Sequence, residues 1–162
     1  MKNIFFILFL ILLLSCSNDS KKEIVTKVEG NSLEDQMIEA YEAGVKALDG
    51  GDVLYAVKKF NEAELLYPQS QWAPKSSLMA AYAYWSQAYY SNSIEELIRF
   101  LKLYPNNPRL DYAYYLLAIN YYDSIVDEKK DLRPLNLAKE YFILLNERFP
   151  KSDYAIDGQY KL

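Results

Sequence analysis

The sequence predicts an all-α protein, a superhelix of stacked antiparallel helix hairpins, on three observations. From about Leu33 onward, apolar residues recur at helical spacing in long segments rich in Ala, Leu and Tyr. No sustained strand-like alternation interrupts them. Three segments end alike: "AVKKFNEAELLYP" (56–68), "SIEELIRFLKLYP" (93–105) and "AKEYFILLNERFP" (138–150). A repeated hairpin cannot cover its own apolar face, so neighbouring copies must stack to share a core.

The N-terminus is expected to lie outside that fold. Lys2 is the sole charge ahead of eleven consecutive apolar residues at 4–14. As a helix this run would extend roughly 16 Å, too short for a bilayer core of about 30 Å. A positive start, a short apolar run and a small residue are the parts of a secretory signal. The run closes on Leu13-Leu14-Ser15-Cys16, and Cys16 is the only cysteine. This resembles the bacterial lipobox, in which the cysteine is diacylated and becomes the new N-terminus after cleavage. Residues 1–15 are thus the expected signal peptide. Cys16 is the expected lipid attachment site, bearing a covalent diacylglycerol and an N-acyl chain. Several acyl chains, each contributing about 0.8 kcal/mol per buried CH₂, make such an anchor effectively permanent.

With Cys16 acylated, the mature chain has no thiol for disulfides or catalysis. Loss of Lys2 leaves 17 basic and 22 acidic residues, a net charge of −5. That balance does not draw the chain to nucleic-acid phosphates. Histidine is absent, which removes the commonest general base and metal ligand.

Residues 16–33 read as the lipidated cysteine and a polar, flexible tether, and residues 34–162 as the repeat domain. Counting back from Pro68, Pro105 and Pro150, a small residue stands at twelve (Ala56, Ser93, Ala138). A large apolar one stands at eight (Phe60, Leu97, Phe142), and Ala63, Phe100 or Leu145 at five. This is the second-helix pattern of a tetratricopeptide repeat. Small residues in the first helices, Gly44, Ala81 and Ala118, are placed to let the two helices of each hairpin approach closely. Pro68 and Pro105 are 37 residues apart, against about 34 in the common repeat. The three extra residues are assigned to the connections "PQSQWAPKS" and "PNNPRLD".

In the third copy the spacing implies an eight-residue insertion around "DSIVDEKKDLRP", a solvated loop with a helix restart after Pro134. The segment "FPKSDYAIDGQYKL" begins a fourth first helix. The array is therefore expected to be incomplete at its C-terminus, about three repeats and the start of a fourth.

Sixteen tyrosines crowd into the first helices. In repeat register, the positions lining the groove include Tyr41, Leu78, Tyr82, Trp85, Tyr112, Tyr115 and Tyr122, with Val45, Leu48 and Ile119. An aromatic groove with hydroxyl tips suits an extended peptide, because rings bury large area and phenols can bond backbone amides. Tyr84, Tyr114 and Tyr121, off that register, are expected to pack between helices. The carboxylate pairs Glu62 with Glu64 and Glu95 with Glu96 lack the i, i+3 or i, i+4 spacing that brings two carboxylates onto one helix face. They read as solvated surface. "DEKKD" (127–131) lacks the alternating oxygens and glycine of a calcium loop. No catalytic or metal site is assigned.

The lipobox, the tether, the repeats and "YPNNPRLDYAYYLLAINYYD" (104–123) together resemble the BamD (ComL) family, tetratricopeptide lipoproteins of the outer-membrane β-barrel assembly machinery. The most specific part is Y-P-x-x-P-x-x-D-Y-A-x-Y, formed by Tyr104, Pro105, Pro108, Asp111, Tyr112, Ala113 and Tyr115. The resemblance implies a lipid-anchored, non-enzymatic scaffold on the periplasmic face of the outer membrane of a Gram-negative bacterium. Its implied partners are the POTRA domains of the barrel-forming subunit, unfolded outer-membrane proteins held in the groove of the first repeats, and other assembly lipoproteins. Ser17 follows Cys16 where, in enteric bacteria, an Asp would signal retention in the inner membrane. Repeat architecture alone also accommodates an adaptor of envelope division or peptidoglycan synthesis. A peptidoglycan-cleaving enzyme would need a catalytic Glu in a lysozyme-like cleft, and no such motif is present.

Overall fold

The computed structural model describes residues 32–125 and 131–162. The expected signal peptide, Cys16, the tether as far as residue 31 and the centre of the third-repeat insertion lie outside the described residues. Seven helices and no strand make up what is described: α1 (Leu33–Asp49), α2 (Val53–Leu66), α3 (Trp72–Ser86), α4 (Tyr90–Leu103), α5 (Leu110–Asp123), α6 (Arg133–Arg148) and α7 (Asp153–Gln159). The fold is all-α, in tetratricopeptide-like hairpins α1–α2, α3–α4 and α5–α6, with α7 following. Each helix packs on its successor, and α5 also touches both α3 and α7. The odd-numbered helices therefore form one layer.

Local chemistry sets the helix ends. Ser32 Oγ accepts from the Asp35 N–H at 3.1 Å and Asp35 Oδ2 accepts from the Ser32 N–H at 3.0 Å, a reciprocal capping box that starts α1 at Leu33. Pro134 sits in the first turn of α6, where its missing N–H costs no intrahelical bond. The connections at 50–52 and 87–89 are short, whereas 124–132 separates α5 from α6, the longer link the third-copy spacing requires.

The positions chosen by periodicity are the buried ones. Ala56, Phe60, Ala63, Ser93, Leu97, Phe100, Ala138, Phe142 and Leu145 are all in the core, and Gly44 of α1 is buried as well. Ser93 gains a second function, its Oγ donating to the Ala81 carbonyl at 2.8 Å. A Cβ on Gly44 would stand 2.7 Å from the buried Phe60 ring. The small residue there is a steric requirement of the α1–α2 crossing.

The 37-residue period also appears in the backbone. Gly51 has φ +80° and Ala88, the same position one repeat on, has φ +61°. The left-handed region is open to glycine but costs an L-residue roughly 1–2 kcal/mol. Ala88→Gly should therefore raise stability by roughly 0.5–1 kcal/mol, the remainder being lost to the greater freedom of the unfolded chain. A lower urea midpoint for this variant would contradict that backbone assignment.

One expectation fails. Glu62 and Glu95 lie on the solvated side, but Glu64 is 6% exposed and Glu96 is half-buried. The Arg99 guanidinium donates to both Glu64 oxygens at 2.9 and 2.7 Å, to Glu96 at 2.9 and 2.7 Å and to Ser77 Oγ at 3.1 Å. The Tyr104 hydroxyl donates to Glu64 Oε1 at 2.7 Å. Burial together with this bond pushes the Tyr104 phenol well above its usual range, and the bonds to Glu64 and Glu96 raise Arg99 further still. The network joins α2 to α3 and α4. A carboxylate on an apparently polar helix position is covered because the next hairpin stacks over it.

Candidate functional site

The odd-numbered helices carry the residues assigned to the groove, and the structure divides them into a cluster and two outlying positions. Leu78 and Tyr82 on α3 and Tyr112 on α5 belong to one apolar cluster with Trp85. Leu78, 6% exposed, is floor rather than wall. The Tyr82 and Trp85 rings are 5.7 Å apart. Tyr112 packs on Tyr154 of α7 at 5.2 Å, and Tyr115 packs on the same ring at 5.3 Å. An aromatic row thus crosses from α3 through α5 to α7.

Tyr41 and Tyr122 flank that row. Tyr41 meets Trp72 edge-on at 5.1 Å and Phe60 at 5.5 Å. The Lys75 ammonium lies over both Tyr41 and Trp72, at 4.8 and 4.3 Å from the ring centroids. Tyr122 is 43% exposed at the other end, beneath the Lys161 ammonium at 5.4 Å. It lines a separate small hollow with Leu135 and Phe142, so it does not share a surface with Leu78.

The polar tips are partly engaged inside the molecule. Trp85 Nε1 donates to Asp123 at 2.9 Å, and the Tyr115 hydroxyl donates to Asp157. Burial, reinforced for Tyr115 by the Asp157 bond, pushes the Tyr112 and Tyr115 phenols well above their usual range. Both remain neutral hydroxyls throughout the physiological pH range. The Tyr115 hydroxyl is thus committed to holding α5 against α7. The off-register rings pack as expected: Tyr121 stacks on Tyr141 at 5.7 Å and 4°, Tyr114 lies against Phe149 at 6.1 Å, and Tyr84 meets Tyr89 edge-on at 6.3 Å.

Between α3 and the start of α5 lies a cavity of about 360 Å³, with Leu78, Met79 and Tyr112 among its apolar lining and Lys75 and Arg109 as its charged groups. Trp72 and Lys75 fall in the stretch read from sequence as connection. They instead form the first turn of α3, because the chain turns at Ser70, whose Oγ accepts from the Trp72 and Ala73 N–H groups at 3.2 and 3.3 Å. The sequence signal was Pro74, which suits the first turn of a helix. Arg109 and Tyr154 carried no periodic signal. Among the described residues no group of three or more metal-ligating side chains is close enough to hold an ion. What the arrangement offers is an aromatic and aliphatic surface with cations at one cavity.

A family model, YfiO, described as an outer membrane lipoprotein, matches residues 33–162. A relative in Caulobacter vibrioides named outer membrane protein assembly factor BamD is 37% identical over 122 residues, which is 75% of this chain and 40% of the relative. The protein of that name in Rickettsia prowazekii is 31% identical over 137 residues, 85% of this chain and 55% of its own length. One in Vibrio cholerae is 26% identical over 166 residues, 96% of this chain and 65% of the relative. The chain spans about half the length of these curated relatives.

Proposed function

The chain belongs to the YfiO outer-membrane lipoprotein family, and on that premise we propose that it is a non-enzymatic outer-membrane protein assembly factor of the BamD kind. In this reading Cys16 carries the lipid that holds the chain to the periplasmic face of the outer membrane. The repeat array is a scaffold that binds POTRA domains of a barrel-forming subunit, works beside other assembly lipoproteins and holds segments of unfolded outer-membrane proteins. The observation that carries the proposal is the family match over the whole repeat domain. Support for the groove comes from the row of rings through Tyr82, Trp85, Tyr112 and Tyr154. Unfolded barrel strands alternate apolar and polar side chains and present unpaired amides. Rings that offer area at low entropic cost suit that class of ligand.

The test is affinity capture of the full-length, membrane-anchored protein from its native envelope, beside a Tyr82→Ala plus Trp85→Ala variant shown by circular dichroism to be folded. Co-elution of a POTRA-containing barrel protein with both forms, and of nascent outer-membrane proteins with the wild type alone, is the expected outcome. Capture of division or peptidoglycan-synthesis proteins without any barrel subunit would overturn the proposal.

A further inference from the structure

We propose that the cavity between α3 and α5 receives a carboxylate side chain, borne beside an apolar residue within an extended peptide, and that Lys75 and Arg109 are its charged contacts. This deepens the groove reading above and rests on it. Charge complementarity carries the assignment. The protein has more acidic than basic residues, 22 against 18, yet both charged groups lining this cavity are cations. Both are exposed, and among the described residues neither forms an ion pair. The nearest carboxylate in sequence, Asp111, accepts from Ser152 Oγ at 2.6 Å and does not line the cavity.

The surroundings add to the field of the two side chains. The cavity borders the start of α3 and the start of α5, and a helix N-terminus carries partial positive charge. Asn107 Oδ1 is occupied by the Arg109 backbone N–H at 2.9 Å, which leaves its amide NH₂ as the group with capacity to spare. Leu78, Met79 and Tyr112 form an apolar bed next to these donors. A ligand that fits has an aliphatic side chain for the bed and an anion for the rim.

The carboxylate belongs within a chain because the recognition surface continues on both sides of the cavity. Lys75 reaches from it to the Tyr41 and Trp72 rings, while Tyr112 leads from it to Tyr82 and Trp85. A peptide following the row runs past the cavity in both directions.

The probe is a fluorescein-labelled, C-terminally amidated peptide of alternating Thr and Val with a central Leu-Glu pair, titrated with the full-length protein in detergent and read by anisotropy. It should bind about tenfold more tightly than its Leu-Gln counterpart, and the gap should narrow as salt rises. Lys75→Met with Arg109→Gln should bind the two alike. Lys75→Glu with Arg109→Glu should prefer a Leu-Lys peptide, a reversal that no loss of folding can produce. Equal affinity of the wild type for the Glu and Gln peptides, with binding still lost in the Tyr82→Ala plus Trp85→Ala variant, would overturn the carboxylate assignment and leave the groove standing. A Leu-Gln peptide with a free terminal carboxylate that matches the Leu-Glu peptide would overturn it in favour of a chain terminus. No binding of any of these peptides to the wild type would overturn both readings.

Discussion

Phe100→Ala is expected to destabilise the repeat domain by about 3–5 kcal/mol, the range for emptying a fully buried aromatic site. Phe100 is completely buried on α4 among Leu78, Ala81, Leu97, Ala113, Leu116 and Leu117, with Tyr104 at 5.3 Å. Its ring fills the space where the middle hairpin meets α5. Stacked hairpins draw their stability from the interfaces between neighbours as well as from each unit, and removal of this ring weakens both. The same cluster supports Tyr82, Trp85 and Tyr112, so peptide binding should fall with stability. Urea unfolding followed by far-ultraviolet circular dichroism supplies the check, with Leu65→Ala as the contrast. Leu65 is 76% exposed, and its truncation should change stability by no more than about 0.5 kcal/mol. A loss below about 1.5 kcal/mol for Phe100→Ala would show that the site collapses around the missing ring.

Arg99→Met is expected to cost about 2–3 kcal/mol, chiefly because it strands Glu64. Breaking a fully buried ion pair by removing one partner costs about 3–5 kcal/mol. Here the Glu64 side chain is 7% exposed but that of Arg99 is 38% exposed, and solvent screening at the guanidinium trims the figure. The variant leaves Glu64 with the Tyr104 hydroxyl as its remaining bonded neighbour in the network. Adding Glu64→Gln should restore most of the stability, since a neutral amide still accepts from Tyr104 and carries no uncompensated charge. Chemical denaturation of the two single variants and the double variant gives the coupling energy. Additive losses would mean that Arg99 and Glu64 contribute independently, contrary to their bidentate geometry.

The hairpin pattern was legible because its contacts recur at a fixed offset. Phe60, Leu97 and Phe142 occupy one register position, and in each copy that position faces a small residue on the partner helix or packs in its cluster. A large apolar side chain set beside a Gly or an Ala at one fixed offset is a pattern local enough for the sequence to carry. The third-copy insertion was readable for the same reason, since an offset that changes from one copy to the next marks added chain. The groove was only half legible. Of the residues that register selected, Leu78, Tyr82, Trp85 and Tyr112 pack in one cluster, while Tyr122 lines a different hollow. Register passed over Lys75 and Arg109, which line one cavity only because α3 and the start of α5 come together.

By itself, then, the sequence determined the helix periods, the small-against-large pairs within each hairpin and the longer link in the third copy. All of these depend on residues close in the chain or repeated at one period. The tertiary structure decided the burial of Glu64 by Arg99, the tie between Trp85 and Asp123, and the commitment of Tyr115 to Asp157, at separations of 35, 38 and 42 residues. Each joins side chains on helices of different hairpins. Such pairs exist only where the rotation from one hairpin to the next brings them together, and that rotation is set by the packing of every interface at once.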